Sequence, residues 1–197
     1  MDDIPAGLAD APRGPRNSST TAGQLAVLRD PSGVSASPPG DVRMEVLGVD
    51  HPDSAALLRA FREQQLKRYG YADPADVPRA DYAPPLGTFV VMYDHERPVG
   101  CGGCRWYDQQ AGTAEIKKTY LSPIARGRGW GRLLMRWLEE QAVGWGAGQL
   151  ILETGVRNAA AIDPFTRCGY SPTRGYVEGR DPVINRAFAK RLTRTFT

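Results

Sequence analysis

The stretch AEIKKTYLSPIARGRGWGRLLMRWLEE, Ala114 to Glu140, decides the fold. Glu115 to Leu121 is a short, partly β-favouring run. Ser122-Pro123 ends it, because proline cannot donate to a strand ladder. Arg126-Gly127-Arg128-Gly129-Trp130-Gly131 then forms a turn crowded with glycine and arginine. Glycines at alternate positions take positive φ without a Cβ penalty and let backbone approach a ligand. A helix follows, with Leu133, Leu134, Trp137, Leu138, Ala142 and Trp145 on an apolar stripe. Arg132, Arg136, Glu139 and Glu140 fall mostly on the other face. The first amides of that helix lack internal partners, and its dipole is positive there. Free amides, a positive helix end and two arginines together predict an anion site.

Two nucleotide readings fail. A dinucleotide fingerprint needs glycines at relative positions one, three and six; Gly127 and Gly129 fit, but the sixth position is Arg132. A P-loop needs Gly-Lys-Ser/Thr after four spacers, which is absent. The turn instead resembles the Arg/Gln-x-x-Gly-x-Gly/Ala signature of the GNAT superfamily of N-acetyltransferases, filled by Arg126, Gly129 and Gly131. The resemblance covers about Met44 to Leu192. It includes Leu152-Glu153-Thr154-Gly155, Asn158, Ala161-Ile162, Phe165 and Gly169-Tyr170. It implies an α/β protein: a central mixed sheet flanked by helices. It implies acetyl-CoA as co-substrate, its pyrophosphate cradled by the run Arg126, Gly127, Arg128, Gly129, Trp130, Gly131 and Arg132. The backbone of Tyr120 and Leu121 would pair with the pantetheine arm, and Asn158 would contact that arm near its sulfur.

The rest of the chain fits that frame. Residues 1–43 are rich in Ser, Pro, Gly and Ala and read as a disordered tail, with residues 44–197 as the acetyltransferase domain. Translation starting at Met44 is one expectation. Met44 to Val49 reads as a strand. Asp53 or Ser54 would cap a helix with an apolar stripe of Ala56, Leu57, Leu58, Phe61 and Leu66, closed by Gly70. Tyr71 to Leu86 is irregular, with room for a short helix. Thr88 to Tyr93 and Val99 to Tyr107 form a hairpin around Asp94 to Arg97. Gln149 to Glu153 is a strand, Arg157 to Arg167 a helix, and Ala187 to Leu192 a last strand.

A net charge of +3 over 197 residues is too small to argue for nucleic acid. No long apolar segment or secretory signal is present, so the expectation is a cytoplasmic protein with no membrane span. A small-molecule amine acceptor is the expected partner, and a homodimer is admitted.

Acyl transfer to an amine needs a proton acceptor, because a free alkylammonium has a pKa of ~10.4. Glu115 is the candidate base, working through a water; the resemblance supports it, since histone-modifying members carry their base at this distance before Arg126. A plain Glu115–Lys117 salt bridge on a solvated face is the alternative. Strict alternation would put Glu115, Lys117 and Thr119 on one face, and Ile116, Lys118 and Tyr120 on the other. The family's tyrosine acid falls at Phe165, which has no proton to give. Tyr170, Tyr176 or water would take over; alternatively the chain binds coenzyme A with little turnover. The acceptor pocket is expected from Arg68-Tyr69, residues 71–85, Arg105 and the Tyr176 region, with Arg105 and Lys117 holding a carboxylate. Cys101-Gly102-Gly103-Cys104 lies between strand-like residues, so a redox or metal role is not expected. His51 and His95 fall in predicted loops with a solvated role.

Overall fold

The computed structural model describes residues 42–73, 77–155, 165–177 and 185–193. Its elements are β1 (Val42–Val46), α1 (Pro52–Tyr69), a 3₁₀ turn at Arg79–Tyr82, β2 (Gly87–Asp94), β3 (Arg97–Asp108) and β4 (Thr113–Leu121). A second 3₁₀ turn at Pro123–Ala125 leads to α2 (Trp130–Gly144), followed by β5 (Gln149–Gly155), β6 (Ser171–Thr173) and β7 (Asn185–Arg191). Among the described residues, seven strands form one sheet in the order β1-β2-β3-β4-β5-β7-β6. Only the β4–β5 pair is parallel. This is the expected mixed sheet with flanking helices. No described helix is long and apolar enough to cross a membrane.

The helix ends follow local chemistry. α1 starts with Pro52 at a position where its missing N–H costs nothing. The cap is His51, not Asp53 or Ser54: its Nδ1 accepts from the Asp53 amide at 3.3 Å. Gly70, at φ 80°, closes the helix as predicted. Leu57 is buried and Leu58 and Phe61 are half-buried, but Leu66 is exposed. β1 begins at Val42, so Arg43 lies inside the strand and pairs with Glu45 at 2.6 Å. The three-residue β6 has no counterpart in the sequence reading. The expected helix at 157–167 lies mostly outside the described residues; a helical turn at 165–167 remains.

Two apolar clusters line the two faces of the sheet. On the α2 face, Leu134 and Leu138 pack with Ile116, Val99, Leu150 and Phe188. On the α1 face, Leu57 and Tyr82 pack with Phe89, Val91, Cys101 and Tyr120. β2 is therefore buried on both faces, which accounts for its unbroken apolar run. Cys101 and Cys104 belong to opposite clusters and cannot bridge. The glycines between them explain the motif. A Cβ at Gly102 would press on Leu138 Cδ1 at 2.9 Å, and one at Gly103 would collide with the Tyr82 ring. Each glycine lets a neighbour seat closely, one from either side.

Candidate functional site

The site begins where the sheet opens. β4 and β5 pair at Thr113–Gln149, Ala114–Leu150 and Glu115–Ile151, and there their ladder stops. β4 continues against β3 to Leu121, and β5 continues against β7 to Gly155. Among the described residues, the edges that face each other beyond Glu115 have no strand partners. A parted pair of parallel strands exposes backbone donors and acceptors that an extended ligand can satisfy.

A β-bulge shapes the same edge. Cys101 pairs with Tyr120 and Gly103 with Lys117, so Gly102 alone faces Lys118 and Thr119. Lys118 sits at φ 57°, the left-handed region that costs a non-glycine residue about 1 kcal/mol or more. The extra residue breaks strict alternation. Tyr120 joins the α1-face cluster, the face of Glu115, instead of siding with Ile116. Thr119 moves correspondingly toward Leu134 and Leu138, since all three crowd the Gly102 position.

The turn after β4 forms the cradle. Gly127 and Gly129 stand at φ 77° and 78°, and nothing lies within 4 Å of a Cβ added at either. They serve conformation and leave open space above the backbone. Gly129 is the N-cap of α2; no side chain caps it, and the first turn carries no acidic residue. That leaves the positive helix end facing solvent. The surrounding side chains are less uniform than expected. The Arg126 guanidinium folds back: Nε and Nη2 donate to the Leu121 carbonyl at 3.1 and 2.9 Å, and Nη2 also reaches Gln64 Oε1 on α1. Arg128 leans on the Trp130 ring at 4.9 Å and toward Asp94 at 3.5 Å. Arg132 is exposed, while the Trp130 side chain is buried in the core, so only its backbone is available to a ligand. The Leu121 carbonyl, expected to meet the pantetheine arm, already has Arg126 on it.

Glu115 is the centre of a charge network on the α1 face. Its side chain is 1% exposed. Arg105 Nε and Nη2 donate to Oε2 at 3.1 and 3.0 Å. Lys117 Nζ donates to Oε1 at 3.0 Å, and the Tyr176 hydroxyl to the same oxygen at 2.9 Å. Arg105 also donates to Asp81 in the first 3₁₀ turn. Burial lowers the Arg105 pKa, but Glu115, with Tyr82 and Asp81 adding to it, raises it overall. Arg105 and Lys117, expected to hold a substrate carboxylate, already face carboxylates of the protein itself. Their charges are matched within the protein by Glu115 and Asp81. The salt bridge between Glu115 and Lys117 exists, but its carboxylate is buried, not solvated.

The tyrosines separate. Tyr176 reaches Glu115 and stacks edge-on with Tyr107 at 5.2 Å. Its amide donates to Glu153 Oε1 at 3.4 Å, which ties the segment after β6 to β5. Tyr170 does not approach Glu115. It is 2% exposed in the α2-face cluster, beside Phe165, and burial followed by the Glu139 charge pushes its pKa well up. A phenol so placed is a poor proton donor to the opposite face. Phe165 lies in the same cluster, against Phe188 at 6.1 Å. Tyr69 reaches from the end of α1 to the end of β5, where a Cβ at Gly155 would collide with its ring. Asn158 lies outside the described residues.

Gln64 escaped the sequence reading, and Asp81 and Glu153, though inside stretches it named, had no individual role there. Each is a polar residue whose partner is distant in sequence, with no local pattern to mark it. His51 serves as a helix cap, and His95 pairs with Asp94 at 3.0 Å. Among the described residues, no group of three His, Cys, Asp or Glu side chains could hold a metal ion.

Comparison with known proteins places this geometry. An 89-residue stretch, 45% of this chain, is 35% identical to the IAA acetyltransferase of Azospirillum brasilense. The chain spans 58% of the length of that relative. A Klebsiella pneumoniae protein provisionally assigned as an acyl-CoA N-acyltransferase superposes with a TM-score of 0.66 at 24% identity, over 78% of this chain and 99% of its own. A Bacillus subtilis acetyltransferase solved with CoA superposes with a TM-score of 0.55 at 14% identity, over 77% and 99%. At these identities the two structures speak for the fold. The model of the Acetyltransferase (GNAT) family matches residues 55–170, more than half of the sequence, and this chain belongs to that family.

Proposed function

We propose that this chain moves an acetyl group from acetyl-CoA to a primary amine of a small molecule. The observation that carries the proposal is the opening between β4 and β5, with the uncapped start of α2 at its end. The residues present fit the co-substrate. An extended arm can bond the edge at Tyr120 and Leu121, and a diphosphate can occupy the open space over Gly127 and Gly129. Arg126, Arg128 and Arg132 lie around that turn and supply positive charge. Acetyl-CoA brings an acyl carbon activated as a thioester and a thiol leaving group acidic enough to depart without a dedicated acid.

The protein's task is then to deprotonate and align the amine. Nitrogen bonds to the acyl carbon as the carbon–sulfur bond breaks and its electron pair leaves with sulfur. Of the two protons the ammonium sheds in becoming an amide, one passes to the departing thiolate or to water, and the other must be taken by the protein. Glu115 is the acceptor for that proton, reached through Tyr176 or a water beside it. Arg105 and Lys117 hold the carboxylate in place. Tyr176 is the hydroxyl best placed to pass the proton on, since Phe165 has none and Tyr170 faces away.

One observation favours a second reading, a coenzyme-binding protein with little turnover: Glu115 is sealed by Arg105, Lys117 and Tyr176. Calorimetry with acetyl-CoA tests the shared premise. Thiol release with a panel of amines separates the two; binding without release on any amine favours the second.

A further inference from the structure

The α1 face carries a cavity of about 500 Å³, within the usual range of about 300–1,000 Å³ for small-ligand sites. It runs between α1 and the chain around Val77. Val49, Leu58, Phe61 and Val77 give it an apolar lining. Phe61 also packs against Tyr120 at 6.0 Å, and Lys118 of the bulge closes the inner end. Lys118 is three residues beyond Glu115, roughly 10 Å along the strand. The cavity therefore abuts the part of β4 that borders the opening.

Its charges are unequally matched. Arg79 pairs with Asp50 at 3.1 Å at the rim, and Lys118 with Asp73 at 3.5 Å at the inner end. Gln65 Nε2 donates to the same Asp73 oxygen at 3.2 Å. Arg59 and Arg62 also line the cavity, are exposed, and have no ion-pair partner among the described residues. They precede Gln65 by six and three residues on α1, about 9 and 4.5 Å along the axis at ~1.5 Å per residue. The inner end, beside β4, is thus neutralised by the Asp73–Lys118 pair, and farther along an apolar trough stand two guanidiniums unmatched among the described residues.

The geometry points to this cavity as the acceptor site, and to the acceptor as an amine joined through an apolar body to an anionic group. The anion lies against Arg59 and Arg62, as guanidiniums favour planar anions, and the amine end runs along the trough toward β4 and the opening, past Asp73, whose carboxylate is held by Lys118 and Gln65. This rests on the acetyltransferase reading above and names the substrate class for it. It also moves the anion contact from Arg105 and Lys117, whose charges are used internally, to α1.

The test is calorimetry of the full chain with 4-(aminomethyl)benzoate and with benzylamine, each with and without CoA. The charged amine is expected to bind at least tenfold more tightly. The Arg59→Gln/Arg62→Gln double variant should lose that preference while its CoA affinity stays unchanged, and Leu58→Trp should weaken both amines by filling the trough. Equal affinity for the two amines, no binding of either, or a preference that survives the double variant would overturn the assignment. If CoA itself does not bind, the acetyltransferase reading fails, yet the amine preference still decides the cavity; if CoA binds and the preference is absent, only the cavity assignment falls.

Discussion

The Tyr176 hydroxyl donates to Glu115 Oε1 at 2.9 Å across 61 residues of sequence. It connects the carboxylate on the central strand to the segment after β6, on the same oxygen that Lys117 holds.

That contact predicts the behaviour of Tyr176→Phe. Losing one hydrogen bond to a charged group should cost about 1.5–3 kcal/mol at most, with a well-folded domain retained. The kcat should drop about tenfold or more while acetyl-CoA affinity is unchanged. Steady-state kinetics beside calorimetry check this; an unaltered kcat removes Tyr176 from the proton path.

Glu115→Gln tests the base directly. General base catalysis contributes about 10²–10⁴-fold, so kcat should fall by at least 100-fold. The variant also leaves Arg105 and Lys117 facing a neutral amide. Both are partly exposed, so the stability loss should fall below the ~3–5 kcal/mol of a fully buried broken pair. Urea unfolding measures the second effect, and acetyl-CoA titration shows whether the cradle is intact. A kcat within twofold of wild type would eliminate the role.

At the cradle, Gly129→Asp and Gly129→Ala separate charge from conformation. Both force a side chain to φ 78°, a cost of about 1–2 kcal/mol. Nothing crowds the added Cβ. Only the aspartate puts a negative charge at the helix start, so it should abolish coenzyme binding while alanine weakens it moderately. Equal affinities in the two variants would mean that no diphosphate sits there.

Gly155→Ala should be destabilising by about 1–3 kcal/mol, because the new methyl meets the Tyr69 ring. Adding Tyr69→Ala should recover part of that loss. A double-mutant cycle measures the coupling; additive effects would show that the ring does not rest on β5.

Alkaline pH should erode stability. Burial, with the Glu115 charge adding to it, pushes the Cys104 thiol up to about 12 from 9.0. The native chain keeps that proton where the unfolded chain gives it up. The contribution is complete below pH 9 and is lost between pH 9 and 12, by up to ~1.4 kcal/mol per pH unit. Tyr82 shifts the same way by burial. Urea midpoints from pH 8 to 11 should decline, and less steeply in Cys104→Ala. An identical slope in the variant would contradict this.

Much of this protein is readable in one dimension because its signals are local. Glycine at 127 and 129 reports a backbone angle, Pro123 a missing donor, and the leucines of α2 a period of 3.6. Each is fixed by the residue itself or by neighbours within one turn. The strand–turn–helix succession around Gly127 and Gly129 and the Gly70 stop therefore followed from the sequence. The face of Tyr120 did not, because a bulge at Lys118 depends on β3 pairing and reverses the alternation beyond it. Nor did the charge network of Glu115, Arg105 and Lys117, which Asp81 and Tyr176 complete from segments distant in sequence. Charge on a side chain is written in the sequence; whether it is spent inside the protein or left for a ligand is settled only when the chain closes around it. On that ground the proposed anion contact lies on α1, where Arg59 and Arg62 have no ion-pair partner among the described residues.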